Sequence, residues 1–595
     1  MRIPASTGNI RIRVCAVFLI GAMSIGLFGC ESKTVNVVAQ PKLVLVIVVD
    51  QFRYDFLERF RDHFGTGGFR RLMDDGAFFT NANYTYVPTF TAPGHAAVFT
   101  GSVPAQNGIV GNNYFDRTTG TNKIMVSDEG ANIVTSYGKQ SNTKFLRPAS
   151  PRVLIGTTLG DQMRLANNFK SKVVALSLKD RAAILPGGKE ANGAYWYDQS
   201  SGTMVSSDFY FPTMPEWVNK FNAQRIPDKS FDKLWDKALG PEAYSTTEAQ
   251  VPDIKGSPLI ERHFPYKING GEKTPSEGFY TEFQYTPFAS DYLAEFAKAA
   301  IEGESLGTDK YTDLLAISFS TTDLVGHSYG PDSEEVEDIY IQLDRTLADL
   351  FTYVDQKVGL SNTIIAMTGD HGVTPVPELL KVNKLDAEVI DPNKCKAAVN
   401  DALDKRYSAG KAAAATPTKG KTETTPSPAP ATPGANPQSW ILDIVNDQVY
   451  FDKKVIEARH ADESEVEHIA GEALLTVPGI SRYFTRTQIL NGQVPQGRLG
   501  MQITNGFNPS RSGDVWLITK PFHFVAEGAI TTTHGGPYNY DTHVPVILYG
   551  PGIKANRYYT ECSPSDITPT IAALIGVEPP ATRVGRVLSE ALGPQ

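Results

Sequence analysis

Leu43-Val44-Leu45-Val46-Ile47-Val48-Val49-Asp50 is the stretch that decides the fold. Seven apolar residues in a row, mostly β-branched, are too short for an ordinary buried helix. Their continuous rather than alternating apolarity suits a strand covered on both faces of a parallel sheet. Residues 172–178, 314–319 and 363–367 have the same character, and 544–549 adds a fifth such run near the C-terminus. Amphipathic stretches at 336–354 and 566–575 are predicted to be covering helices. The expected fold class is therefore α/β, a sandwich with a mostly parallel central sheet and helices on both faces.

The residues just beyond these strands are as informative as the strands themselves. Val49 runs into Asp50, Phe319 toward Asp323, and Met367 toward Asp370 and His371. The strand ending near Leu178 meets Lys179 and Arg181. Ligands of open α/β sheets sit at the carboxyl ends of strands, so separate strands deliver these polar groups to one edge.

Two stretches depart from the core pattern. Residues 181–309 are loop-rich and aromatic, with Tyr195-Trp196-Tyr197 and Phe209-Tyr210-Phe211, and are expected to form an inserted cap beside the site. Residues 409–438 are dominated by Ala, Pro, Thr and Lys. That composition cannot bury enough apolar surface to offset its ordering entropy, and a disordered surface excursion is expected.

The first 30 residues have the form of an export signal. Arg2, Arg11 and Arg13 precede an apolar run at 14–28 that is too short to span a bilayer permanently. The run ends in Leu27-Phe28-Gly29-Cys30, which resembles a lipoprotein cleavage box; the alternative is an ordinary secretory signal in which Cys30 is incidental. Both take the chain out of the cytoplasm, and the first implies a periplasmic protein held to a membrane by lipid on Cys30. Residues 31–41 are then a tether, and 42–595 the folded domain. Later apolar runs fall short of a membrane span, so the lipid is the only membrane contact expected. A net charge of −9 argues against a nucleic-acid partner. Cys395 and Cys562 remain beyond the signal in a compartment that permits a disulfide, and their spacing leaves open whether they pair.

Only ten histidines occur, so their neighbours matter. Asp323 and His327 stand four apart in what is predicted to be a loop after a strand. Asp370 and His371 are adjacent after another strand, and His534 lies in a glycine-rich Thr-His-Gly-Gly turn. With Asp50 this makes three carboxylates and three imidazoles, a mixed oxygen and nitrogen set suited to zinc. Each element alone has an ordinary structural explanation, as a cap or a turn; their convergence on strand ends is what points to metal. His63, His263, His460, His468 and His523 lack such company. In Pro88-Thr-Phe-Thr-Ala-Pro-Gly-His95, Pro93 favours a first helical turn, which puts Thr91 at the positive end of that helix. This is a good place for an alkoxide facing phosphate, and equally for a plain N-cap.

The ordered set VVDQFRYD (48–55), PTFTAPGHAAVFTG (88–101), GIVGNNYFD (108–116), SLKDRAAILPGGK (177–189), TTDLVGHSYGPDS (321–333), TGDHGVTPVPE (368–378) and THGGPYNYDTHVPVILYGPG (533–552) resembles the alkaline phosphatase superfamily. It is most similar to the phosphate-irrepressible, PafA-type bacterial branch. The similarity runs from about Lys42 to SPSDITPTIAALIGV (563–577), with 409–438 unmatched.

The resemblance implies two Zn2+ ions. One would be held by Asp323, His327 and His534, the other by Asp50, Asp370 and His371 with the Thr91 oxygen. It implies Thr91 as nucleophile and Asn112 as a donor to a phosphoryl oxygen. Lys179 and Arg181 match the pair that marks the monoesterase branch, and His95 and His543 are assigned structural roles. The expected activity is hydrolysis of small phosphate monoesters through a phosphothreonine. Alternatives are a nucleotide pyrophosphatase or phosphodiesterase on the same site, and a non-catalytic lipoprotein that binds a phosphoryl ligand. A sulfatase is disfavoured, because Thr91 stands where a modifiable Cys or Ser would be needed. Oligomeric state and physiological substrate are not legible.

Overall fold

Leu43–Val49 lies in the middle of an eleven-stranded sheet. It pairs in parallel with Asp313–Phe319 on one side and Thr363–Gly369 on the other. Val173–Ser177 and then Gly193–Asp198 continue the parallel order beyond Asp313–Phe319. All seven residues of the first strand are buried, as its unbroken apolarity requires. Its side chains alternate between two cores. Leu43, Leu45, Ile47 and Val49 pack under the long helix Glu334–Lys357, whereas Val44, Val46 and Val48 pack under the helices Thr91–Thr100 and Ile567–Ile575. Each fully buried aliphatic side chain of this kind contributes roughly 1.5–3 kcal/mol. The sheet is therefore the fixed floor on which the strand ends are aimed.

The structure, a computed structural model, describes residues 40–140, 146–244, 263–413, 439–528 and 530–593. The export signal with Cys30, and the tether through residue 39, lie outside the described residues, as do residues 414–438 of the low-complexity stretch. Residues 38–595 cluster as one compact unit. No helix among the described residues is long and apolar enough to cross a membrane.

Three expectations are corrected. His543–Tyr549, the fifth apolar run, is a buried strand but pairs antiparallel to both neighbours, Thr363–Gly369 and Ala77–Asn83. Apolarity on both faces reports burial, not direction. Second, the start of the expected cap belongs to the core. Helix Asp180–Gly187 packs on the sheet, and Gly193–Asp198 and Thr203–Ser207 are two of its strands, with Tyr195, Trp196 and Tyr197 buried. The helices Glu216–Ala223, Glu277–Phe283 and Pro287–Gly303 then cover the same face as Glu334–Lys357. A ribbon of Lys233–Trp235 with Tyr266–Ile268 joins them, anchored where the Trp235 indole N–H donates to Asp338 at 2.7 Å. Third, helix Pro392–Ala413 runs into the start of the low-complexity stretch.

That helix belongs to a small subdomain that the sequence does not set apart. Ile441–Val445, Gln448–Phe451, Val515–Thr519 and Ile480–Thr485 form a four-stranded antiparallel sheet. Pro392–Ala413 and Glu463–Leu474 cover it over a separate core built on Val399, Leu403, Trp440, Val449, Phe451 and Val466. Asn446 and Asp447 turn its first hairpin, both with positive φ (51° and 59°), the handedness that two-residue hairpin loops prefer. Cys395 lies in this core and Cys562 in the main one, both buried and, among the described residues, both without a disulfide.

Candidate active site

The carboxyl ends of three neighbouring parallel strands supply most of the site. Asp50 follows the first strand directly, Asp370 follows Thr363–Gly369, and Asp323 lies just beyond Asp313–Phe319. Asp323 and His327 are not on a loop, as expected, but on the helix Thr321–Tyr329, which starts almost without a linker. Four apart, they share one helix face. His534 arrives from the turn before the antiparallel strand His543–Tyr549. Two groups result, Asp323/His327/His534 and Asp50/Asp370/His371, and the ligand atoms within each lie within 4.8 Å of one another. The rings of His371 and His534 stack across the two groups at 3.5 Å.

All three imidazoles are oriented the same way. His327 donates its Nδ1–H to the carbonyl of Thr532 (2.8 Å), His371 to that of Gly372 (2.9 Å), and His534 to that of Thr89 (2.8 Å). Each therefore turns its Nε2 inward, as metal-binding histidines do. Burial holds the His371 ring down to about 3, so it is a neutral ligand at any physiological pH. Burial, reinforced by the other two rings, also holds His534 well below its ordinary value. Burial and then the Asp50 charge push Asp370 well above the carboxylate range. Among the described residues, Asp50 Oδ1 and Asp370 Oδ2 are buried without a hydrogen-bond partner. Stranded carboxylate oxygens facing inward-turned imidazole nitrogens make each group one that could hold a metal ion.

Thr91 is the first residue of its helix, and Phe90, not Thr91, is the N-cap. Its hydroxyl is thus released from capping and lies 3.4 Å from His371 Nε2. Gly94 makes this possible, because a Cβ there would stand 2.3 Å from the Asp370 carbonyl oxygen. Asn112 accepts the Ala92 N–H through its side-chain oxygen at 2.8 Å, which leaves its NH2 group as the free donor. His95 and His543 belong to neither group. His95 donates to the Thr91 carbonyl and accepts from Ser318, both at 2.8 Å, and His543 donates to the Thr80 carbonyl at 2.9 Å.

Lys179 sits deeper than its expected place against a phosphoryl group. Its Nζ donates to Asp50 Oδ2 at 2.6 Å and to Asp323 Oδ2, spanning both groups. Burial pulls this ammonium down, but Asp323 and Asp50 outweigh it and hold it above its ordinary value. Among the described residues the Arg181 guanidinium pairs only with Asp180, at 3.7 Å, and its buried Nε has no hydrogen-bond partner. It remains available to an anion.

Gln51 is a member of the site that the sequence does not announce. Its backbone N–H donates to Asp370 Oδ1 (3.0 Å) and its side-chain amide to Asp323 Oδ1 (2.9 Å), so one residue orients a carboxylate in each group. It does so at φ 64°, which nothing in a Gln after an Asp signals.

Comparison with known proteins agrees with this geometry. The type I phosphodiesterase / nucleotide pyrophosphatase family matches residues 44–537. Alkaline phosphatase PhoV of Synechococcus elongatus is 37% identical over 93% of this chain and 94% of its own length. Alkaline phosphatase PafA of Elizabethkingia meningoseptica is 34% identical over 97% of this chain and 99% of its own. The crystal structure of PafA superposes with a TM-score of 0.80 at 32% identity, covering 94% of this chain and 100% of that one. The chain belongs to the type I phosphodiesterase / nucleotide pyrophosphatase family and, within it, is an alkaline phosphatase of the PafA type.

Proposed function

We propose that the chain is a zinc-dependent phosphate monoester hydrolase that works through a phosphothreonine at Thr91. The observation that carries this reading is the uncapped Thr91 hydroxyl facing the Asp50/Asp370/His371 group at a helix N-terminus. Asp50, Asp370 and His371 would hold one zinc, and Asp323, His327 and His534 the other. When bound, the two ions supply positive charge for the attacking and departing oxygens and ease deprotonation of water.

The chain's own groups do the rest. Thr91 Oγ1 forms a bond to phosphorus as the ester P–O bond breaks and the alcohol departs. A water oxygen then attacks phosphorus, the Thr91–phosphorus bond breaks, and phosphate leaves. The positive end of the Thr91–Thr100 helix favours the anion throughout. Asn112 donates its free NH2 to a non-bridging oxygen, and Arg181 adds a charge-assisted hydrogen bond. Gln51 and Lys179 fix the carboxylates.

A monoester carries one more anionic oxygen than a diester, and the cations Lys179 and Arg181 favour it. Small phosphate monoesters are therefore the proposed substrates, rather than the diesters of the phosphodiesterase alternative. The export signal and Leu27-Phe28-Gly29-Cys30 support a periplasmic enzyme tethered by lipid. The test uses zinc-loaded protein beginning after Cys30. It should release phosphate from an aryl monoester much faster than from the matching methyl diester, and Thr91→Ala should lose at least about a thousandfold in kcat while retaining both metals. Near-full turnover by Thr91→Ala would refute the nucleophile.

A further inference from the structure

Beside the site lies a cavity of about 300 Å3, partly open to solvent, with an uneven charge balance. Arg147, Lys179 and Arg181 all line it, and among the described residues its one carboxylate is Asp180. Asp180 already pairs with Arg181, at 3.7 Å, and the Lys179 ammonium is held by Asp50 and Asp323. That leaves the lining without an acid for Arg147. The remaining wall is uncharged.

Arg147 is exposed, but its backbone is fixed on both sides. Leu146 is 4% exposed and packs in the core under the helix Thr91–Thr100, and the Asp128 N–H donates to the Pro148 carbonyl at 2.9 Å. The guanidinium is thus carried at the rim of the cavity by an anchored stretch of chain. Lys179 lines the same cavity and ends on Asp50 and Asp323, one carboxylate of each metal group. The cavity therefore reaches the site through this side chain and favours neither side of the displacement. Arg181 lies on the same path, since it lines the cavity and its buried Nε has no hydrogen-bond partner among the described residues.

The chain as a whole carries a net charge of −9, which repels a phosphate dianion. A cleft lined by one sign of charge focuses the field and overcomes such repulsion locally, raising association rates by about 10- to 1000-fold. A volume of about 300 Å3 is at the lower end of small-ligand sites and takes a phosphoryl group with part of its hydration. We propose that this cavity is an entry pocket for the phosphoryl dianion, in which Arg147 receives the substrate at the rim and Arg181 passes it on to the metal groups. The inference rests on the phosphatase reading above, but not on which group takes the departing oxygen.

The test measures kcat and kcat/KM for an aryl phosphate monoester and the matching methyl diester, at ionic strengths of about 0.01 M and about 1 M. The screening length falls between these from about 30 Å to about 3 Å. At low salt, Arg147→Ala should lose about threefold to tenfold in kcat/KM on the dianionic monoester and less on the monoanionic diester, with kcat unchanged. The gap to wild type should close at high salt. Arg147→Glu should lose more than Arg147→Ala, and Arg147→Lys should keep most of the wild-type value. No loss in Arg147→Ala, equal losses on both esters, a gap indifferent to salt, or a loss in kcat would overturn the entry pocket and leave the phosphatase reading standing. Failure of the wild type to hydrolyse the monoester would overturn both.

Discussion

The side-chain amide of Asn446 donates to the carbonyl oxygen of Asn113 at 2.7 Å, and so joins the antiparallel subdomain to the loop that carries Asn112. The fit is close, since a Cβ on Gly111 would lie 2.1 Å from the Asn446 amide nitrogen. Asn112 itself is held on two further sides, by Ala92 N–H at its side chain and by Met125 N–H at its carbonyl, each at 2.8 Å. Asn446 is thus placed to position Asn112, the proposed phosphoryl donor. Asn446→Ala should lower kcat/KM about fivefold with little change in metal content or Tm. Combined with Asn112→Ala it should add almost nothing, because the brace then has nothing to position. Additive losses would place its effect elsewhere.

Lys179 and Arg181 should set the preference between monoesters and diesters. Arg181 is expected to contribute a charge-assisted interaction of roughly 1.5–3 kcal/mol with an anionic oxygen, and Lys179, whose Nζ is held by Asp50 and Asp323, to act through its charge beside the site. Lys179→Ala and Arg181→Ala should each reduce kcat/KM for an aryl monoester by about ten- to a hundredfold and affect the diester less. Equal losses on both substrates would show that the cations do not discriminate.

Asp50, Asp370 and Asp323 are 0–3% exposed and packed close together, an arrangement stable only with compensating charge. Chelation should therefore remove activity and lower Tm by several degrees, as expected when a tightly bound ion leaves the folded state. Adding zinc back should restore both. A Tm indifferent to chelator would mean that Lys179 alone satisfies the carboxylates.

Asp541 should make stability depend on pH. Burial pushes its carboxyl from the ordinary 3.8 up to about 8, although Gly536 N–H donates to it at 2.7 Å. The folded chain then binds this proton more tightly than the unfolded chain. Stability relative to Asp541→Asn should fall as pH rises from about 4 to about 8 and level off above that. Each unit is worth about 1.4 kcal/mol at most. Thermal melts of the two proteins across this range check the sign. A gap that widens in favour of the wild type would mean that the carboxylate is ionised in the fold.

The central strands were legible because burial on both faces leaves an unbroken apolar run, as in Leu43–Val49. The direction of His543–Tyr549 was not, since either orientation buries the same side chains. The subdomain escaped notice because Ile441–Val445 is half exposed and its neighbouring helix merges into an Ala-rich stretch without a boundary signal. Within the site, the three Asp and three His were readable from their positions after strands. Gln51 was not, because its role depends on a positive φ and on partners 272 and 319 residues away. Lys179 was recognised, but its grip on Asp50 and Asp323 is a tertiary fact that no local spacing encodes.

Asp50 stands near the start of the catalytic region and His534 near its end, with the subdomain strung between Asp370 and His534. During synthesis, with N-terminal parts free to form first, residue 534 must be made before the six proposed ligands exist together. A nascent or prematurely terminated chain can hold five of them and still lack the turn that closes the leaving side. The order of residues along the chain thus makes the site the last thing the chain can complete, since no earlier stretch substitutes for His534.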